Sequence, residues 1–191
     1  MVYGPIFLTM WMLFGSIFHG WDQPHLERVE VRTGFAVALN DTEHPTGFEF
    51  VPLLPSAVIP LTDTIDPGPD FLKGKIEWNP ELFAASFVYP YARPIIGINP
   101  LQFQYALEPR GKWEPYGMAG LGILHSNIER RETGSDFNFN LAFGFGTRYR
   151  LNPNTALLLE YRHIHISNAD IDDNNAAIEA NTFLTGLSIS L

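Results

Sequence analysis

From about residue 27 onward, apolar and polar side chains alternate with a period of two, which is the repeat of a strand. The clearest stretch is Asp136 to Arg150, where Phe137, Phe139, Leu141, Phe143, Phe145, Thr147 and Tyr149 fall on one face. The opposite face carries Asp136, Asn138, Asn140, Ala142, Gly144, Gly146, Arg148 and Arg150. In the first such stretch Val29, Val31, Thr33, Phe35, Val37 and Leu39 oppose Glu30, Arg32, Gly34, Ala36 and Ala38. Leu101 to Leu107 repeats the pattern after the Gly97-Ile-Asn-Pro100 segment, and Trp113 to His125 follows it less cleanly. With 47–60, 71–89, 155–167 and 177–190, the pattern predicts eight strands. An even number of antiparallel strands can close into a barrel with both termini on one side.

Two barrels fit this alternation. A soluble lipid-binding barrel turns its apolar face inward, whereas a membrane barrel turns it toward lipid and fills its lumen with the other face. The non-aromatic faces mix Glu30, Arg32, Arg148, Glu160 and Arg162 with Gly and Ala, a set that suits a packed lumen better than a solvated surface. The membrane barrel is therefore expected, with Glu160 and Arg162 as a lumen ion pair. Trp113, Tyr116 and Tyr161 read as interfacial anchors. Leu107 to Lys112 and Leu151 to Thr155 are tight turns, while 126–135 and 168–176 are longer polar links. Short turns lie on the periplasmic side and long loops outside, so the strand 155–167 ends at the extracellular rim. The link from Leu61 to Asp70 is longer than that rule expects.

Pro5 to Phe18 is a mostly apolar run too short for a membrane helix but suited to an export signal. No Lys or Arg precedes it, and a buried helix or strand is its other reading. The expected organisation is a secretory signal peptide over 1–20 and a barrel domain over 27–191. The charged fraction of 17% is low and aromatics reach 14%, as suits a strand-rich membrane protein. A net charge of −9 argues against nucleic acid, and the absence of cysteine removes disulfides and thiolate metal sites.

Candidate chemistry lies near the C-terminus, in Glu160-Tyr-Arg-His-Ile-His-Ile-Ser-Asn-Ala-Asp170. Leu157, Leu159, Tyr161, His163, His165 and Ser167 share the lipid-facing side, so polar groups there need partners. Residues two apart on a strand lie about 6.5 to 7 Å apart and project the same way, close enough for an imidazole to reach a hydroxyl. His165 can then take the proton as Ser167 attacks an ester. Glu179 shares its face with Phe183, Leu187, Ile189 and Leu191 on the last strand and would orient the imidazole if it lies opposite His165. That pairing is a register expectation, which a slip of one residue would destroy.

His165-Ile-Ser-Asn-Ala169, with Glu179 fourteen positions after the histidine, resembles the signature of the lipid A 3-O-deacylases (PagL type). The resemblance implies an eight-stranded outer-membrane barrel with a Ser-His-Glu triad on its lipid-facing wall. It makes Ser167 the nucleophile, His165 the general base, Glu179 the orienting carboxylate and Asn168 a helper at the oxyanion site. It implies removal of an ester-linked 3-hydroxyacyl chain from lipid A in the bacterial outer membrane. Lipid A is the partner and a homodimer is left open; no cofactor or metal is implied. The likeness is sharpest over 161–183. The chain departs from it at Asp170 and at Ala176-Ala177, where relatives commonly carry Gly and Pro-Gly, and in ending on Leu191 rather than an aromatic residue.

Without the resemblance, His163 and His165 would also suit a metal, with Glu179 as the nearest further ligand, and a structural or adhesive barrel is the alternative function. On this reading His163 is a polar residue at the interface rather than a catalyst. The acidic run Asp170 to Asp173 reads as a solvated loop or a site for a divalent cation.

Overall fold

A computed structural model describes residues 25–38, 47–90, 92–126, 135–171 and 177–191. Among them are nine strands: β1 (Arg28–Ala38), β2 (Glu49–Pro60), β3 (Gly74–Trp78), β4 (Glu81–Tyr89), β5 (Arg93–Leu107), β6 (Trp113–Ser126), β7 (Phe137–Asn152), β8 (Thr155–Ser167) and β9 (Ile178–Ser190). All pair antiparallel, and β1 pairs with both β2 and β9, so the sheet closes on itself. The segment 1–20, expected to be a signal peptide, lies outside the described residues, as do Asp172 and Asp173 of the acidic loop.

The ring has eight staves because β3 and β4 together form one, lying end to end between β2 and β5. The stretch 71–89 is thus not one strand. It begins with a short 3₁₀ turn (Asp70–Leu72) and breaks at Asn79-Pro80, where proline removes a ladder donor. Buried Asn79 stitches the break from inside. Its amide nitrogen donates to Ser56 Oγ (3.1 Å) and the Ala57 carbonyl (3.0 Å), and its oxygen accepts from Gln102 (2.8 Å) and Gln104 (2.9 Å).

The fifth strand also differs from expectation, starting at Arg93 rather than Leu101. A bulge between Ile98 and Leu101 switches the inward parity, so Ile95 and Asn99 point inward before it, and Gln102, Gln104 and Ala106 after it. The switch hides the strand from a period-two reading, and Pro100 at the bulge needs no amide hydrogen there. The long link 61–73 is held in place at the periplasmic end. Ile65 bridges to Gly74, and the Tyr105 hydroxyl donates to the Leu72 carbonyl at 2.7 Å. The Gly68 amide donates to Asp66 Oδ1 at 3.0 Å and Lys73 lies 3.2 Å from the same carboxylate, which together hold its pKa below the ordinary Asp value.

Outward residues are apolar all round the ring: Val31, Leu53, Ile96, Phe103, Leu121, Phe145 and Leu187 are all exposed. That excludes the soluble barrel, whose apolar face would be inside. The described residues contain no helix long and apolar enough to cross a membrane.

The lumen is layered. Its periplasmic half holds four arginines (Arg28, Arg32, Arg148, Arg162) and four glutamates (Glu30, Glu77, Glu81, Glu160), all buried, so the charges balance. The expected Arg162–Glu160 pair is present at 2.7 Å. Tyr116, expected as an interfacial anchor, points into this layer and donates to Glu160 at 2.7 Å. Even-numbered residues of β6 face inward, which is why it is not on the wall. The extracellular half is mainly an apolar plug, in which Phe50, Phe83 and Phe87 pack with Ile164 and Ile166, beside buried Asn138 and an Asn140–Asn99 hydrogen bond of 2.8 Å. Among the described residues the outer wall is the apolar surface that a membrane lipid can meet.

Candidate active site

The last two staves place the candidate residues. β8 is rich in Leu, Ile, Tyr and His and alternates strictly, with Glu160, Arg162, Ile164 and Ile166 buried inside and the odd residues turned outward. β9 pairs with it so that His165 lies opposite Glu179, His163 opposite Asn181 and Tyr161 opposite Phe183. On the other flank, Leu141, Phe143 and Phe145 of β7 pair with His165, His163 and Tyr161. The hairpin therefore has the register in which His165 and Glu179 share one row of the wall.

Within that row the polar groups connect. His165 Nε2 lies 3.0 Å from Ser167 Oγ, and His165 Nδ1 is hydrogen-bonded to Glu179 Oε1. A neutral imidazole bonded through Nδ1–H to a carboxylate keeps the Nε2 lone pair free for the serine proton, as a hydrolytic triad requires. Ser167 is the final residue of β8, at the end that carries the long loops. The three residues the sequence singled out thus lie side by side on the membrane-facing wall, at its outer rim.

Asn168 follows the serine and is fully buried. Its carbonyl accepts from the Ile171 amide at 3.3 Å, closing a turn through Ala169 and Asp170. Both central residues have positive φ, 55° and 60°. Asp170 thus occupies the left-handed region that Gly adopts freely and that Asp tolerates better than most residues. Ala177, at the start of the last stave, also has φ 60°. At two positions where the sequence departs from its resemblance, the backbone keeps the conformation a glycine would take.

Sequence reasoning missed one contact. Glu179 has a second partner: its Oε2 lies 2.7 Å from His163 Nε2. The alternation placed His163 on the right face but not against the carboxylate, because His163 is paired with Asn181 and reaches Glu179 diagonally. Two strand repeats and the register together would have shown it, since diagonal neighbours across a pair are within reach of long side chains. Among the described residues, no group of three or more His, Cys, Asp or Glu is arranged to hold a metal ion.

A family model described as lipid A 3-O-deacylase (PagL) matches residues 75–188, which include every residue of this site. No curated protein matches the chain. Among solved structures, the outer membrane enzyme PagL is similar over 86% of this chain and 99% of its own, with 17% identity and a TM-score of 0.61. Neisserial surface protein A is similar over 89% of this chain and 100% of its own, with 12% identity and a TM-score of 0.58. At those identities the two structures speak for the barrel fold. Neither gives support to a homodimer. The family match covers more than half the chain, and with it the chain belongs to the lipid A 3-O-deacylase (PagL) family of outer-membrane hydrolases.

Proposed function

We propose that this barrel removes an ester-linked 3-hydroxyacyl chain from lipid A through Ser167, His165 and Glu179. The observation that carries the proposal is the continuous line from Ser167 Oγ through His165 to Glu179 on the lipid-facing wall. Lipid A of the outer leaflet lies against that wall, so its acyl ester can meet the serine without leaving the bilayer.

The chemistry follows from these contacts. Ser167 Oγ attacks the ester carbonyl while His165 Nε2 accepts its proton, and Glu179 stabilises the imidazolium that forms. Collapse of the tetrahedral intermediate breaks the bond to the lipid A oxygen, which takes the proton back from Nε2. The acyl group is then on Ser167. Water entering from the rim gives a proton to His165, attacks the acyl-serine and releases the hydroxy acid, regenerating the serine. The oxyanion needs donors beside Ser167, and the turn at Asn168 is the group best placed to help supply them.

The test is incubation of refolded barrel with purified lipopolysaccharide, followed by mass spectrometry of the lipid A, beside Ser167→Ala. Lipid A lighter by one hydroxyacyl chain, with the parent protein alone, is expected. Unchanged lipid A from a folded parent barrel would favour a structural or adhesive role.

A further inference from the structure

A carboxylate has two oxygens, and on a wall that faces hydrocarbon neither can rely on water for its hydrogen bonds. One oxygen of Glu179 meets His165; the other meets His163 Nε2 at 2.7 Å. His163 is itself held from three sides. Its Nδ1 stands 3.2 Å from Asn181 Oδ1, an oxygen that accepts the Tyr161 hydroxyl at 2.7 Å. Its ring lies against Phe143, with centroids 5.0 Å apart. Tyr161 in turn is wedged between Phe145 and Phe183, at 5.4 and 5.5 Å. A row of polar groups thus descends from the rim into an otherwise apolar wall, and its contacts lead up to the free side of Glu179.

We propose that His163 is a positioning residue for the esterase: packed against Phe143 and donating Nε2–H to one oxygen of Glu179, it fixes the carboxylate in the orientation that presents its other oxygen to His165. The inference rests on reading Ser167, His165 and Glu179 as the hydrolytic triad. Glu179 has three side-chain torsions, and its side chain is 43% exposed on the wall. Without a second anchor the carboxylate can rotate away from His165. The bond to His165 matters most when the imidazole becomes charged, in the transition state. Loss of the strut should therefore lower kcat and kcat/KM together and leave KM unchanged. A hydrogen bond to a charged group contributes enough that its loss lowers the rate by about tenfold or more.

The experiment measures initial rates on lipopolysaccharide in detergent mixed micelles for the parent, Ser167→Ala, His163→Leu and His163→Gln. Folding is followed by the heat-dependent gel shift of the barrel. Leucine suits this site, beside Phe143 on a lipid-facing wall, and removes the donor; glutamine restores an N–H at similar reach. The expected result is a folded His163→Leu barrel with kcat down about tenfold and KM unchanged, and a His163→Gln barrel restored to within about threefold of the parent. A His163→Leu barrel as fast as the parent overturns the proposal, as does a loss that appears in KM or that glutamine fails to restore. If His163→Leu does not fold, His163→Gln decides, and a folded His163→Gln barrel slower than the parent by tenfold overturns it. A parent as inert as Ser167→Ala removes the esterase reading itself, and this inference with it, whereas an active parent beside an equally active His163→Leu removes only the strut.

Discussion

Arg162→Met probes what holds the periplasmic half of the lumen together. Arg162 is fully buried and bridges two carboxylates, meeting Glu81 at 2.7 and 3.1 Å and Glu160 at 2.7 Å. Its removal affects them unequally. Glu160 keeps the Tyr116 hydroxyl at 2.7 Å and has Arg32 Nε at 3.0 Å, although that N–H is out of line for a hydrogen bond. Glu81 loses its nearest cation and is left with the Asn99 amide at 2.9 Å, the Gln102 amide at 3.3 Å and Arg32 at 3.8 Å. Breaking a buried pair by removing one partner costs about 3–5 kcal/mol, and the donors that remain favour the lower end, about 3 kcal/mol. Neutralising the stranded acid as well, in Arg162→Met/Glu81→Gln, should recover about 2 kcal/mol, because the lumen charges balance again. Reversible urea unfolding of the barrel in thin-bilayer vesicles, followed by tryptophan fluorescence, measures Arg162→Met, Glu81→Gln and the double variant against the parent. A single-variant loss under about 1 kcal/mol, or strict additivity of the two substitutions, would refute the view that the charges act as one coupled network.

Three further predictions concern the site and the seam of the barrel. Glu179→Gln should leave the barrel folded and lower kcat by about 10³- to 10⁴-fold, as read from lipid A turnover, because the amide no longer stabilises the His165 imidazolium. Ala177→Gly should raise unfolding free energy by about 1 kcal/mol in the same urea titration, since Ala177 holds a φ of 60° that glycine adopts without strain. Gly34→Val should prevent closure, seen as loss of the heat-dependent gel shift: a Cβ at Gly34 would lie 1.9 Å from the Phe183 carbonyl, on the seam where β1 meets β9.

The parts of this protein that sequence reveals are those where one rule acts alone. β1, β7 and β8 alternate without interruption, so their faces and the outward position of His165 and Ser167 follow from parity. Glu179 could be placed for the same reason, because odd residues face outward on both β8 and β9. Pro100 and the bulge beside it hide the first half of β5, and Asn79-Pro80 divides a stave that looks continuous, because alternation carries no information about a change of parity. The apolar plug was invisible for another reason: Phe50 and Leu54 face the lumen while Val51 and Leu53 face outward, so both sides of β2 are apolar. The contact of His163 with Glu179 is a diagonal one, which follows only once the register of β8 against β9 is known. Asp170 reads as a departure from its relatives, yet its left-handed backbone shows that what the position demands is a conformation.

On this mechanism Ser167 is a nucleophile activated on the membrane face of the wall. Labelling the barrel in lipid vesicles with a long-chain fluorophosphonate, followed by peptide mapping, tests it most directly, because an activated serine attacks the phosphorus, expels fluoride and keeps the phosphonyl group. One adduct is expected, on Ser167, absent from Ser167→Ala and slowed at least about a hundredfold in His165→Ala. A folded barrel that takes up no label, or one labelled equally well without His165, would contradict it.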